Sequence, residues 1–186
     1  SNGGAGGNAK VWKTTNSGIN WINILTTGGT TGFISGIRLT NNAGIIVSDG
    51  PTGSGVLVYT TTNGGNSWTS QNVSSGGFSA VTPGSVFVIN DQFYGFGASG
   101  VNKVTYTTNG GSLWNTLTIP LNGNGVFVDC NLNMNCVAVS NTSLPNIYRF
   151  TIGISGSILN SGIGLNNPTS LRMLNQGFDQ TFMSIG

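Results

Sequence analysis

The sequence predicts an all-β chain of repeated four-stranded antiparallel blades, the β-propeller architecture. Two observations carry this. Three segments align without gaps: VWKTTNSGINW (11–21), VYTTTNGGNSW (58–68) and VTYTTNGGSLW (104–114). Their tryptophans, Trp21, Trp68 and Trp114, lie 47 and 46 positions apart. The segments upstream repeat as well, each with two apolar runs around a polar turn. Four short strands in a unit of about 40–50 residues make a propeller blade.

The elements follow in chain order. Residues 10–30 read as the outer half of a blade, with strands entering and leaving the first Thr-Thr-Asn turn. Full blades are expected at about 33–75, 79–120 and 125–160. Their leading hairpins are FISGIRLTNNAGIIVSDG (33–50), SVFVINDQFYGFGASG (85–100) and GVFVDCNLNMNCVAVS (125–140). In the third blade the corner is degenerate: after Asn146–Phe150 the chain reads TIGISG, without the Asn or the Trp. SLRMLNQGFDQTFMSIG (170–186) reads as a leading half-blade. No stretch is long and periodic enough for a helix. The half-blades at 10–30 and 170–186 are in complementary phase, so together they would form one composite blade and close a four-bladed ring. Such rings are small and uncommon. The preferred expectation is therefore a segment of a larger propeller, with two copies completing one ring as a further option.

Composition bounds the function. Among 186 residues there are 31 Gly, 37% hydrophobic residues and only 5% charged residues, against roughly 25% charged in an ordinary soluble domain. The apolar clusters hold Val, Ile, Phe, Tyr and Trp, which suit a pleated surface and argue against disorder. Lys10, Lys13, Lys103, Arg38, Arg149 and Arg172 form no basic stripe, and the net charge is +2, so nucleic-acid binding lacks electrostatic support. No apolar run approaches the roughly 20 residues that span a bilayer as a helix. The opening SNGGAGGNAK is not a signal peptide, and the chain begins without Met.

The Thr-x-Asn-x-Gly-x-x-Trp segments make sense as turn chemistry. The hydroxyls of Thr14, Thr61 and Thr107 can satisfy turn amides. Asn16, Asn63 and Asn109 can bond the backbone two residues on. Gly18, Gly65 and Gly111 supply positive φ. Trp21, Trp68 and Trp114 are expected to fold back over their hairpins as local plugs, each burying about 150–250 Å². The segments resemble the Asp-box, or bacterial neuraminidase repeat, with Asn in place of the usual Asp at Asn16, Asn63 and Asn109. The phrases VWKTTNSG and CVAV are most similar to the photosystem II stability and assembly factor type of propeller. Asp-box repeats also occur in sialidases, sortilin-type receptors and many secreted proteins, so the resemblance implies a fold element rather than an activity. Loss of the Asp weakens any reading of these corners as Ca²⁺ sites, because hard cations want several oxygen ligands.

Cys130 and Cys136 flank one hairpin turn, where a disulfide or two buried free thiols are both open. Secreted Asp-box repeats often carry such pairs, and the resemblance therefore favours a disulfide and an oxidising compartment. Zinc lacks ligands: there is no His and no further Cys. The sequons at Asn72 and Asn141 carry almost no weight in a chain so rich in Asn, Ser and Thr.

Catalysis is not expected. A sialidase needs a Tyr partnered by Glu, an acid/base Asp and an Arg in a Phe/Tyr-Arg-Ile-Pro motif. This chain has no Glu, and Gly36-Ile37-Arg38-Leu39 is not that motif. The four acids, Asp49, Asp91, Asp129 and Asp179, recur near hairpin turns, where Asp is a usual turn former, rather than as a placed glycosidase pair. Without His a Ser-His-Asp triad is impossible. The run Gly3–Gly7 matches no phosphate loop. Arg38 and Arg172 hold similar places in their units and remain a candidate anion- or peptide-binding patch. No cofactor or metal is expected. The function expected is a non-catalytic structural or binding module outside the cytosol, on a cell surface, in a secreted assembly or on a virion. Its partner would be a protein or a glycan, met by amide and main-chain hydrogen bonds. Two alternatives stand beside it: a glycan reader using Trp12, Tyr59 or Tyr106, and a fragment of a glycoside-acting enzyme whose catalytic residues lie on missing blades.

Overall fold

A computed structural model describes residues 7–28, 34–49, 55–74, 77–78, 80–121, 123, 125–140, 147–152, 154–159, 170–174 and 181–185. These residues form antiparallel sheets and no helix. The first sheet pairs β1 (Lys10–Lys13) with β2 (Ile22–Thr26). Three four-stranded meanders follow. One runs β3 (Ile34–Leu39), β4 (Gly44–Asp49), β5 (Val56–Thr61) and β6 (Thr69–Val73). The next runs β7 (Ala80–Val88), β8 (Tyr94–Ser99), β9 (Lys103–Thr107) and β10 (Trp114–Thr118). The third runs β11 (Val126–Cys130), β12 (Asn135–Ser140), β13 (Ile147–Thr151) and β14 (Ile154–Leu159). It keeps four strands although its corner lacks the Asn and the Trp. A final sheet pairs β15 (Ser170–Leu174) with β16 (Thr181–Ile185).

Alternation along each strand sends side chains to opposite faces, and here both faces are covered. Val86 and Val88 of β7 pack with Ile45, Val47, Val56 and Val58 of the preceding sheet. Phe87, one residue out of phase, packs with Val126, Val128 and Ala138 of the following sheet. The same division recurs in the third meander: Val137 and Val139 turn toward Leu171, while Cys136 and Ala138 turn back. Burial on both faces explains why the second strands read as nearly continuous apolar runs. The fourth strands, β6 and β10, are the outer edges of their sheets and range from half-buried to exposed, save Val73.

Inner strands β3, β7, β11 and β15 adjoin in series. Two buried hydroxyls fasten β7 to β11 where the pairing of β7 with β8 is irregular, between Val81 and Val86. Ser85 Oγ donates to the Val126 carbonyl at 2.9 Å and accepts from the Val128 amide at 2.9 Å. Thr82 Oγ1 accepts from the Val126 amide at 3.1 Å and donates to the Ala98 carbonyl at 3.0 Å. Gly97 permits this approach, since a Cβ there would run into the Val126 carbonyl.

A composite blade of the two half-blades, the option set beside the preferred larger propeller, is not formed among the described residues. β1–β2 and β15–β16 are separate two-stranded sheets, and no closed ring exists among the described residues. Residues 175–180, with Asp179, the Asn141 sequon and the run Gly3–Gly6 lie outside the described residues.

Ser85→Ala would strand the buried Val126 carbonyl and Val128 amide, so it is expected to cost about 1–3 kcal/mol in urea unfolding. An unchanged midpoint would show that these bonds do not hold the two blades together.

Candidate functional site

The three corners share one hydrogen-bond pattern. Thr14, Thr61 and Thr107 donate through Oγ1 to the Oδ1 of Asn16, Asn63 and Asn109 at 3.0, 2.9 and 3.0 Å. The same Thr oxygens accept from the amides of Gly18, Gly65 and Gly111 at 2.9, 3.0 and 2.9 Å. Each Asn Oδ1 accepts from a backbone amide four residues on, at Asn20, Ser67 and Leu113, rather than two. A neutral amide oxygen fills this role in each corner. Gly18, Gly65 and Gly111 sit at φ of 90°, 86° and 87°. The preceding position is left-handed too, occupied by Gly64 and Gly110 but by Ser17 in the first corner, a requirement the sequence reading missed.

The tryptophans differ. Trp114 packs into the seam between its own sheet and the preceding one, 5.8 Å from Tyr94 and 5.7 Å from Phe96 between ring centroids. Trp68 packs likewise against the seam shared with β1–β2, beside Ile24 and Tyr59. Trp21 corrects the expectation of three plugs: it is 57% exposed, with its Nε1 donating to the Gly18 carbonyl at 3.1 Å. The physical reason is that the other indoles are covered by the preceding sheet as well as their own hairpin. No described sheet precedes β1–β2.

Corners 2 and 3 are tied to the leading hairpins of their own blades. The Gly64 amide donates to the Asn42 carbonyl at 2.7 Å and the Gly110 amide to the Gln92 carbonyl at 3.0 Å. Neighbouring blades reach the same corners: Lys13 Nζ donates to the Gly64 carbonyl at 2.6 Å and Gln71 Nε2 to the Gly111 carbonyl at 3.0 Å. Corners and leading hairpins thereby share one end of the sheets. Between them opens a cleft of about 530 Å³, floored by Ala43 and Ile89 and walled by Thr40, Asn41, Asn42, Thr62, Asn90, Asp91 and Leu132. It draws on hairpins from all three four-stranded sheets. A smaller depression of about 230 Å³, bordered by Lys13, Ile22, Ile24 and Asn66, lies on the other side of corner 2.

Arg38 stands two residues before Thr40 on β3, and its Nη2 lies 3.5 Å from Asp129 Oδ1 on β11. Asp129 is fully buried and also accepts from the Cys130 amide at 3.0 Å. The Arg38 charge is thus met by Asp129, two sheets away. The Arg172 side chain lies outside the described residues. Cys130 and Cys136 are cross-strand partners joined by a disulfide, with Cα atoms 4.1 Å apart. That bond clips the hairpin that presents Leu132. Trp12, Tyr59 and Tyr106 are not gathered: they lie on β1, β5 and β9 of three different sheets, and Tyr59 is buried. Burial pushes the Tyr94 phenol above its ordinary pKa; Thr60 pulls the other way, and the Asp91 charge raises it further.

No protein-family model matches the chain, and no curated protein sequence does either. Among solved structures it is similar to YCF48 bound to D1 peptide, with a TM-score of 0.51 and 17% identity over 67% of this chain and 40% of that one. The fold is therefore of the β-propeller type, and the chain matches under half of that neighbour's length.

Trp114→Ala is expected to cost about 3–5 kcal/mol in denaturant unfolding, and Trp21→Ala under about 1 kcal/mol. Equal losses would refute the distinction between covered and open indoles. A raised Tyr94 pKa holds its stabilising share below about pH 10 and loses it as pH climbs through the folded value, because the unfolded chain ionises first. Melting temperature is expected to fall above that pH, and less steeply in Tyr94→Phe.

Proposed function

We propose that the chain is a non-catalytic binding module whose cleft, at the hairpin end of the sheets, receives a protein partner outside the cytosol. The cleft carries the reading. Its walls are amides, hydroxyls and one carboxylate drawn from two successive sheets, with Leu132 added from the third, and the side chains of Asn41, Asn42 and Thr62 are not engaged by any described residue. A concave site with unspent, convergent polar groups is where a partner gains hydrogen bonds that water alone met before. The neighbouring structure is a propeller bound to a peptide, which supports a peptide or protein as the partner here. The Cys130–Cys136 disulfide supports an oxidising compartment, such as a cell surface, a secreted assembly or a virion. The shared corner geometry supports the Asp-box reading, with Asn filling the part of Asp.

A polar chain with no His and no Glu offers little for general acid–base chemistry at neutral pH, which supports the non-catalytic part of the reading. Selection from a random-peptide display library, beside a glycan array, tests the proposal. Binders are expected, and filling the cleft with Asn42→Arg should weaken them at least about tenfold while leaving the melting temperature intact. Binders indifferent to Asn42→Arg, or none from either library, would refute it.

A further inference from the structure

We infer that the cleft selects an extended peptide segment that points a lysine or arginine at Asp91. The inference rests on the binding-module reading and adds the chemistry of the ligand. Three observations lead to it.

The first is charge. Asp91 is exposed and is the one ionic side chain among the described residues that line the cleft. Two cations on neighbouring elements are engaged elsewhere. Arg38, at the base of the neighbouring hairpin, faces the buried Asp129 at 3.5 Å. Lys13 is held by the Gly64 carbonyl at 2.6 Å and borders the separate depression beyond corner 2. Among the described residues lining it, the cleft therefore presents one negative charge and no positive one, in a chain whose net charge is positive. A cationic group arriving there meets attraction, and a carboxylate meets repulsion.

The second is hydrogen bonding. Asn90 is exposed and spends its Oδ1 on the Gln92 and Phe93 amides at 2.8 and 3.0 Å, which fixes the hairpin and leaves its NH₂ available as a donor. Asn41, Asn42 and Thr62 offer both donors and acceptors across the cleft. Groups of both kinds, spread along two rims, match the alternating N–H and C=O of an extended backbone. The same rims would also meet sugar hydroxyls, but among the described residues no aromatic ring lines the cleft for the apolar face of a pyranose to stack upon.

The third is the apolar contact. Leu132 is 64% exposed at the tip of a hairpin clipped by the Cys130–Cys136 disulfide. A leucine held outward on a cross-linked turn supplies a fixed apolar surface at one end of the cleft. It lies on a different blade from Asp91, so a bound segment would span two blades between its basic and its apolar residue.

The experiment uses the intact chain, oxidised and immobilised, with three heptapeptide libraries randomised at every position except a central Lys, Leu or Glu. The central-Lys library is expected to be retained most and the central-Glu library least, with the gap closing as salt rises. Asp91→Asn should lower retention of the Lys library about two- to fivefold, with Asp91→Glu restoring it and neither change shifting the melting temperature. Equal retention of the Lys and Leu libraries, or indifference to Asp91→Asn, would overturn the basic-residue inference while leaving peptide binding in the cleft intact. Retention of none of the libraries, with a glycan-array signal lost in Asn42→Arg, would overturn the peptide assignment and keep the binding module. Silence in every arm would overturn both.

Discussion

Face-to-face burial between successive sheets is the constraint on which this structure depends. A four-stranded antiparallel meander has two faces and cannot bury either alone. Here Val86 and Val88 close one seam while Phe87 closes the next, so each middle sheet is stable only as part of a stack. Distant features follow from it. The second strands are apolar on both faces, Gly97 is needed where β11 approaches, and Ser85 and Thr82 carry hydrogen bonds between blades that no sheet pairing supplies.

The corners are the second tier of the same arrangement. Their Thr–Asn–Gly network is local and identical in all three copies, yet the seams decide what each tryptophan becomes. Trp114 has a preceding sheet to cover it and joins Tyr94 and Phe96. Trp21 has the same corner chemistry and stands open. Corner position also fixes the cleft, because the Gly64 and Gly110 amides tether corners to leading hairpins and bring the polar loops of successive blades to one end. The site is thus a by-product of stacking: rigid strands hold variable loops side by side.

Much of the fold was legible because it is periodic. The tryptophan spacing and the paired apolar runs sufficed to read antiparallel strands in four-stranded meanders. The site was barely legible. Arg38 and Arg172 looked alike as positions in a repeat, but a repeat says nothing of a buried carboxylate two sheets away. Leu132, Asn42 and Asp91 are separated by tens of residues and carry no motif, so nothing in linear order marks them as neighbours. Ser17 was missed for a different reason: its left-handed backbone is signalled by Gly in the sister corners, and only comparison of all three reveals it.

The sequence by itself determined the repeat, the all-β character, the corner chemistry and the poverty of charge, because each depends on residues close along the chain or on composition. Tertiary structure alone decided which indole is covered, that Arg38 is neutralised by Asp129, that β1–β2 and β15–β16 stay apart, and that three hairpins meet around a cleft. The reason is physical: hydrogen bonds within a turn are set by a few neighbouring dihedrals. Burial and ion pairing depend instead on how sheets far apart in sequence rotate against one another.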